Sequence, residues 1–155
     1  MTRRRGVTLL EMLVVLGVLA VLVALTWPAW RPSSARRAAQ TYLAAQHAAR
    51  LRALTGRAVA LRWEGPAEAF VVRDGRAEDG AEGACAAPVL RRHRPEGGVA
   101  VTRVLRDGVA WLPDGAGRSC DGGGVYGGRV RFEAGDEAWD VVVASSGRLR
   151  LERAR

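Results

Sequence analysis

Glu11 is the only charged residue between Val7 and Trp27, and it stands five positions after Gly6 (11 − 6 = 5). Arg3, Arg4 and Arg5 precede that glycine. An ionised acid near the centre of a bilayer costs roughly 2.5 kcal/mol or more. It must therefore find a partner or be neutralised. The chemistry implied is charge compensation on association. Elsewhere, catalytic groupings are scarce. His47 falls on the solvent side of a helical stretch, and His93 lies in Arg91-Arg92-His93-Arg94, where its neighbours disfavour protonation. There is no Gly-x-Ser-x-Gly elbow, paired-cysteine metal motif or Gly-Lys-Ser/Thr phosphate loop. Glu78-Asp79 and Asp136-Glu137 fall in expected loops. The residues point to no enzyme, no metal and no cofactor. Cys85 and Cys120 fit a disulfide if the body of the protein lies outside the cytoplasm, and two buried thiols otherwise.

The element that carries Glu11 is a hydrophobic segment. Val7 to Trp27 spans 21 residues, about 31 Å of helix, against a hydrocarbon core of about 30 Å. The three leading arginines place the N-terminus in the cytoplasm, although Arg31, Arg36 and Arg37 weaken that asymmetry. A secretory signal peptide shares the basic start but has a shorter apolar region and a small-residue cleavage site. A simple anchor accounts for the length and ignores the acid.

A third reading accounts for both. Gly6-Val7-Thr8-Leu9-Leu10-Glu11, followed by Met12-Leu13-Val14-Val15-Leu16, closely resembles the class III signal of type IV pilins and type II secretion pseudopilins. The resemblance implies cleavage between Gly6 and Val7 by a membrane-embedded prepilin peptidase and methylation of the new N-terminus at Val7. It also implies a role in filament assembly for Glu11 and a helix kink at Pro28. Val7 departs from the phenylalanine usual at that position. In such a filament the freed amino group of one subunit can lie against Glu11 of its neighbour. Both charges are then compensated only on assembly, and register is selected as buried polar groups select it in coiled coils.

Beyond the span, Pro28 and Pro32 bracket a bend and Ser33 or Ser34 offers an N-cap. Ala35 to Leu54 is rich in helix formers, with Ala39, Leu43, Leu51 and Leu54 along one stripe and Gly56 as the stop. From Arg57 the period becomes two. Val59, Leu61 and Trp63 predict one strand, and Ala69 to Val72 a second, closed by an Asp74-Gly75 turn. Residues 75–88 read as a loop. Strands are expected at 89–93, 99–105 and 109–112, with a turn at Asp107-Gly108. Residues 114–128, holding seven glycines, read as an irregular connection. The last strands are expected at 129–133, 139–144 and 148–152, with Ser145-Ser146-Gly147 as the final turn. The tryptophans belong to core and interface. The fold class expected is α+β, a long N-terminal transmembrane and amphipathic helix packed on an antiparallel β-sheet head. The divisions are a leader at 1–6, a transmembrane and assembly segment at 7–30, an amphipathic half-helix at 31–56 and a periplasmic β-rich head at 57–155.

Val130-Arg131-Phe132, Trp139 to Ala144 and Ser145-Ser146-Gly147-Arg148-Leu149-Arg150 resemble the C-terminal hairpin of GspH/FimT-type minor pseudopilins. The helix end Ala48 to Arg57, feeding a strand, is similar to that family too; residues 75–128 match no motif of it. The resemblance implies a non-enzymatic subunit of a short periplasmic filament near its tip, with the inner membrane, prepilin peptidase and other minor and major pseudopilins or pilins as partners. Its FimT-like branch belongs to type IV pili, where some members bind DNA through a Gly-Arg-x-Arg turn, here carrying Arg148 and Arg150. Arginine forks on a turn suit phosphate oxygens; a solvated strand edge is the plainer reading. The net charge of +8, with all 24 basic residues arginine, permits anionic partners without demonstrating one. An anchored periplasmic interaction domain outside any filament is the remaining alternative.

Overall fold

The computed structural model describes residues 9–26, 33–65, 69–103, 108–121 and 124–154. It divides into two units, Met1–Pro32 and Ser33–Arg155.

The first unit contributes α1, Leu9–Thr26, with Glu11 in its first turn. This helix is apolar all round, the signature of a helix that meets lipid or other protein on every side. Leu9, Leu10, Met12, Leu13, Leu16, Leu19 and Leu22 are each more than half exposed. Its 18 residues rise about 27 Å. Among the described residues no helix is long and apolar enough to cross a membrane. The expected segment 7–30 runs past α1 at both ends into residues outside the described ranges, as does Pro28.

The second unit is built on α2, Ser34–Ala53, whose first turn is capped by the Ser33 hydroxyl accepting from the Arg36 amide at 3.2 Å. Around it are β1 (Arg57–Glu64), β2 (Ala69–Arg76), a 3-10 turn (Ala77–Asp79), α3 (Gly80–Ala86), β3 (Val89–His93) and β4 (Ala100–Arg103). Then follow β5 (Gly108–Trp111), β6 (Gly117–Ser119), β7 (Gly128–Ala134), β8 (Glu137–Val143) and β9 (Leu149–Arg153). They form two antiparallel sheets, ordered β3-β2-β1-β5-β6 and β4-β7-β8-β9. α2 packs against both, giving the α+β architecture.

The alternation of β1 assigns its two faces. Val59, Leu61 and Trp63 join the main core under α2, where Tyr42 meets Trp63, Phe70 and Phe132 at ring separations of 6.1, 5.0 and 5.7 Å. Ala58 and Ala60 face the other way and form a second small core with Ala84, Cys85 and Ala110. Their small side chains allow α3 to lie close against the sheet.

Five expectations need correction. The buried line of α2 is Ala35, Ala38, Ala39, Tyr42, Gln46, Ala49 and Ala53, whereas Leu51 and Leu54 are 65% and 55% exposed. Asp74-Gly75 is not a turn: β2 pairs with β1 without interruption from Ala69↔Glu64 to Arg76↔Arg57. Gly75 is small for another reason, since a Cβ there would come within 3.0 Å of the Ala84 backbone in α3. Residues 75–88 are not a loop but the end of β2, a 3-10 turn and α3. β4 and β5 do not form a hairpin, because β4 pairs with β7 in one sheet and β5 with β1 and β6 in the other. The glycine-rich stretch 114–128 likewise holds β6 and an isolated bridge between Arg118 and Val125.

Candidate functional site

Three features with a predicted role are described in the structure: Glu11 in the first unit, and the C-terminal turn and the Cys85–Cys120 pair in the second. Glu11 occupies the first turn of α1 and is exposed. A carboxylate there is favoured by the helix macrodipole. Gly6 and Val7, the expected cleavage and methylation positions, lie outside the described residues.

The C-terminal turn is the second feature. Ala144 donates to the Arg148 carbonyl at 2.9 Å and Gly147 to the Ala144 carbonyl at 2.8 Å. Gly147 has φ +77°, a left-handed conformation that suits glycine. The turn is not left free. Arg50 of α2 donates through Nη1 to the Gly147 carbonyl at 3.0 Å, and its guanidinium lies 5.5 Å from the Trp111 ring centre. Trp111 Nε1 donates to Gln46 Oε1 at 2.8 Å, and Gln46 Nε2 to the Tyr42 hydroxyl at 2.8 Å. Gln46 and Trp111 are both 0% exposed. A buried chain of hydrogen bonds thus fixes the rotation of α2 against β5, and the part-buried Arg50, stacked over Trp111, holds the turn in place.

Beyond the turn, Arg148 is exposed and β9 is an edge strand. Leu149 and Leu151 pack against the core, while Arg150 points away from it and pairs with Glu152 at 3.3 Å. On that same outer surface Asp140 of β8 accepts from Arg131 at 2.9 and 3.1 Å and lies 3.4 Å from Arg129. The hydrogen bonds Arg131 donates to Asp140, reinforced by the charge of that carboxylate, raise the Arg131 pKa above its ordinary value. Asp140 is only 3% exposed, so it is a built-in counter-ion for two arginines. Sequence patterning did not single out this trio. The signal available was the alternation Arg129-x-Arg131 facing an acid in the next strand. That signal is legible only with the register Arg131↔Asp140 in hand.

Cys85 and Cys120 are joined by a disulfide, with Cα atoms 5.7 Å apart across a sequence separation of 35. It ties α3 to the end of β6. A loop of that length is worth roughly 3–4 kcal/mol in the chain-entropy model. Nearby, burial pushes the Asp74 carboxyl up, but hydrogen bonds from Arg57 and Arg52 outweigh it and hold the group below its usual range. His47 is exposed, and His93 stacks on Phe70 at 4.8 Å with its pKa lowered by burial and then by Arg91.

Residues 1–27 match the family model described as the prokaryotic N-terminal methylation motif. Among curated proteins none matches the chain in sequence. Solved structures do resemble it. The minor pseudopilin EpsH from the type 2 secretion system of Vibrio cholerae superposes with a TM-score of 0.61 at 16% identity, covering 78% of this chain and 98% of EpsH. The type IV minor pilin FimU of Pseudomonas aeruginosa (strain PAO1) gives a TM-score of 0.57 at 18% identity, covering 76% of this chain and 87% of FimU.

Proposed function

We propose that this chain, which joins a prepilin-type methylation motif to the fold of GspH/FimT-type minor pseudopilins, is an H-type minor subunit near the tip of a type II secretion pseudopilus. The observation that carries the reading is the combination itself. A prokaryotic N-terminal methylation motif precedes a two-sheet head whose fold is similar to those of EpsH and FimU.

The mechanism follows from the residues. The precursor enters the inner membrane through segment 7–30, with the head, 57–155, in the periplasm. The peptidase cuts after Gly6 and methylates Val7. The new N-terminus lies against Glu11 of an adjacent subunit, so each charge meets its opposite on assembly. The disulfide suits an oxidising compartment. Gly6→Ala should block processing: in cells holding the peptidase, mass spectrometry should find the leader still attached, and normal trimming would refute the assignment.

A FimT-like pilin that contacts DNA is the second reading, favoured by the exposure of Arg148 on a turn that Arg50 braces. It predicts salt-sensitive binding of duplex DNA by the detergent-solubilised protein. Arg148→Ala with Arg150→Ala should weaken that binding about tenfold or more and flatten its salt dependence, because fewer phosphates are then neutralised. Binding that is unchanged in the double variant disposes of this reading.

A further inference from the structure

α2 lies over β1, β5 and the second sheet, and β3 stands across from it. Between them runs a groove of about 810 Å3. Ala44, Ala45 and Ala48 of α2 form one wall, Leu90 of β3 belongs to the other, and Val59 and Val72 are the floor. A cavity of about 200 Å3 shares Thr41 and His93 with the groove and continues it towards Arg37 and Glu96. Leu90 is 54% exposed, and Ala44 and Ala48 are exposed as well. This is an apolar concavity within the head, separate from the braced turn.

Its chemistry narrows the occupant. Arg91 and Arg52 line the groove, Arg52 being already bonded to Asp74, and Arg37 and Arg94 line its continuation. Glu96 is the one exposed carboxylate among the lining residues described, and it is already paired with Arg37 at 3.0 Å. The surface therefore favours an apolar segment bearing acids. An added β-strand fits poorly, because β3 carries Arg91 and Arg92 and its pairing with β2 is irregular between Val72 and Arg73; charges and bulges on an edge oppose further pairing. A helix fits better, since alanine walls permit helix axes to approach within the usual 8–10 Å. Helix-in-groove binding reads apolar anchors at i, i+3 or i+4, and i+7. A second copy of this chain is disfavoured: α2 carries Arg36, Arg37, Arg50 and Arg52 and no acid, so like charges would meet.

We propose that this groove receives an amphipathic helix of a different pilin-type subunit, with aspartate or glutamate flanking its apolar face. The inference rests on the filament reading above. A photoreactive benzoylphenylalanine at position 48 of the full-length chain, expressed with the pilin-type subunits of the same system, tests it in cells. Mass spectrometry of the adduct should identify a helical peptide of another subunit with flanking acids. Arg91→Glu with Arg94→Glu should reduce that adduct at least tenfold, and Arg153→Glu on the distant edge strand should leave it unchanged. Circular dichroism and an intact disulfide report the fold of each variant. Adducts found only with a second copy, with lipid or with an extended segment overturn the proposal, as does an adduct indifferent to the charge reversal. If Glu11→Val excludes the chain from filaments while Ala48→Trp leaves subunit association untouched, the groove proposal fails alone. If Glu11→Val assembles normally, the filament reading fails first.

Discussion

Replacing Glu11 with valine should leave the protein cleaved and membrane-associated yet lower its incorporation into filaments about a hundredfold or more. The two halves of this result have different causes. Valine removes the one charged group from Leu9–Thr26, and an acid opposes insertion, by roughly 2.5–3.5 kcal/mol at the bilayer centre and by less near a helix end, so membrane association should be kept or improved. The cleavage position, five residues away, is unaltered. Assembly is where the loss falls. If the freed amino group of one subunit sits against Glu11 of the next, valine strands that cation in an apolar setting. Breaking a buried pair on one side costs roughly 3–5 kcal/mol, which corresponds to at least about two orders of magnitude in association. Quantitative blotting of purified filaments, beside total membranes, measures both halves. Incorporation at the wild-type level would remove Glu11 from the assembly contact.

Trp111→Ala should destabilise the head by about 3–5 kcal/mol, a large share of the roughly 5–15 kcal/mol that holds an ordinary domain together. Trp111 is 0% exposed, and its loss leaves a cavity in the main core. It also leaves Gln46 Oε1, equally buried, without the indole donor. A stranded buried polar atom costs roughly 1–3 kcal/mol. The two contributions are separable. Trp111→Phe keeps much of the volume and loses the N–H with a small part of the ring system, so it should cost less than alanine. Combining Trp111→Phe with Gln46→Leu should recover part of that cost, because an apolar pair has no unmet hydrogen bond between its members. Urea denaturation of the full-length protein in detergent, followed by circular dichroism, reads all four midpoints. An alanine variant with the wild-type midpoint would show that the Tyr42–Gln46–Trp111 chain does not brace the head.

Much of this molecule is legible in its residues alone. The period-two pattern of Val59, Leu61 and Trp63 locates β1 and its inward face, and Ser145-Ser146-Gly147 locates the last turn, because strands of a half-buried sheet and tight turns are local facts. What fails is decided at a distance. Leu51 and Leu54 read as core by hydrophobicity. The true buried face of α2 is largely alanine, since a helix gripped by two sheets has little room, and Gln46 lies inside because Trp111, 65 residues away, supplies its donor. Asp74-Gly75 has the composition of a turn, yet the glycine serves the approach of α3 to β2. α3 itself, Gly80-Ala-Glu-Gly-Ala-Cys-Ala, has weak intrinsic helicity. It is held by the second small core and by the bridge to Cys120. The candidate site follows the same division: Glu11 stands out from its neighbours in sequence, whereas the Arg129–Asp140–Arg131 cluster needs the strand register.

The interleaving of the two sheets also bears on the order in which the head can be completed. β4 must wait for β7, as Ala100 pairs with Glu133, while β1 needs only β5, as Val59 pairs with Trp111. A chain delivered from its N-terminus can therefore finish the first sheet and close Cys85 onto Cys120 while the second sheet has no partner for β4. Throughout that interval the side of α2 that Val141, Val143 and Leu151 will cover stays open to water. Pairings so far apart in sequence are slow to close. The head thus passes through a stage in which its central helix is clothed on one side only, and the last few residues to arrive, through Leu151, end its exposure.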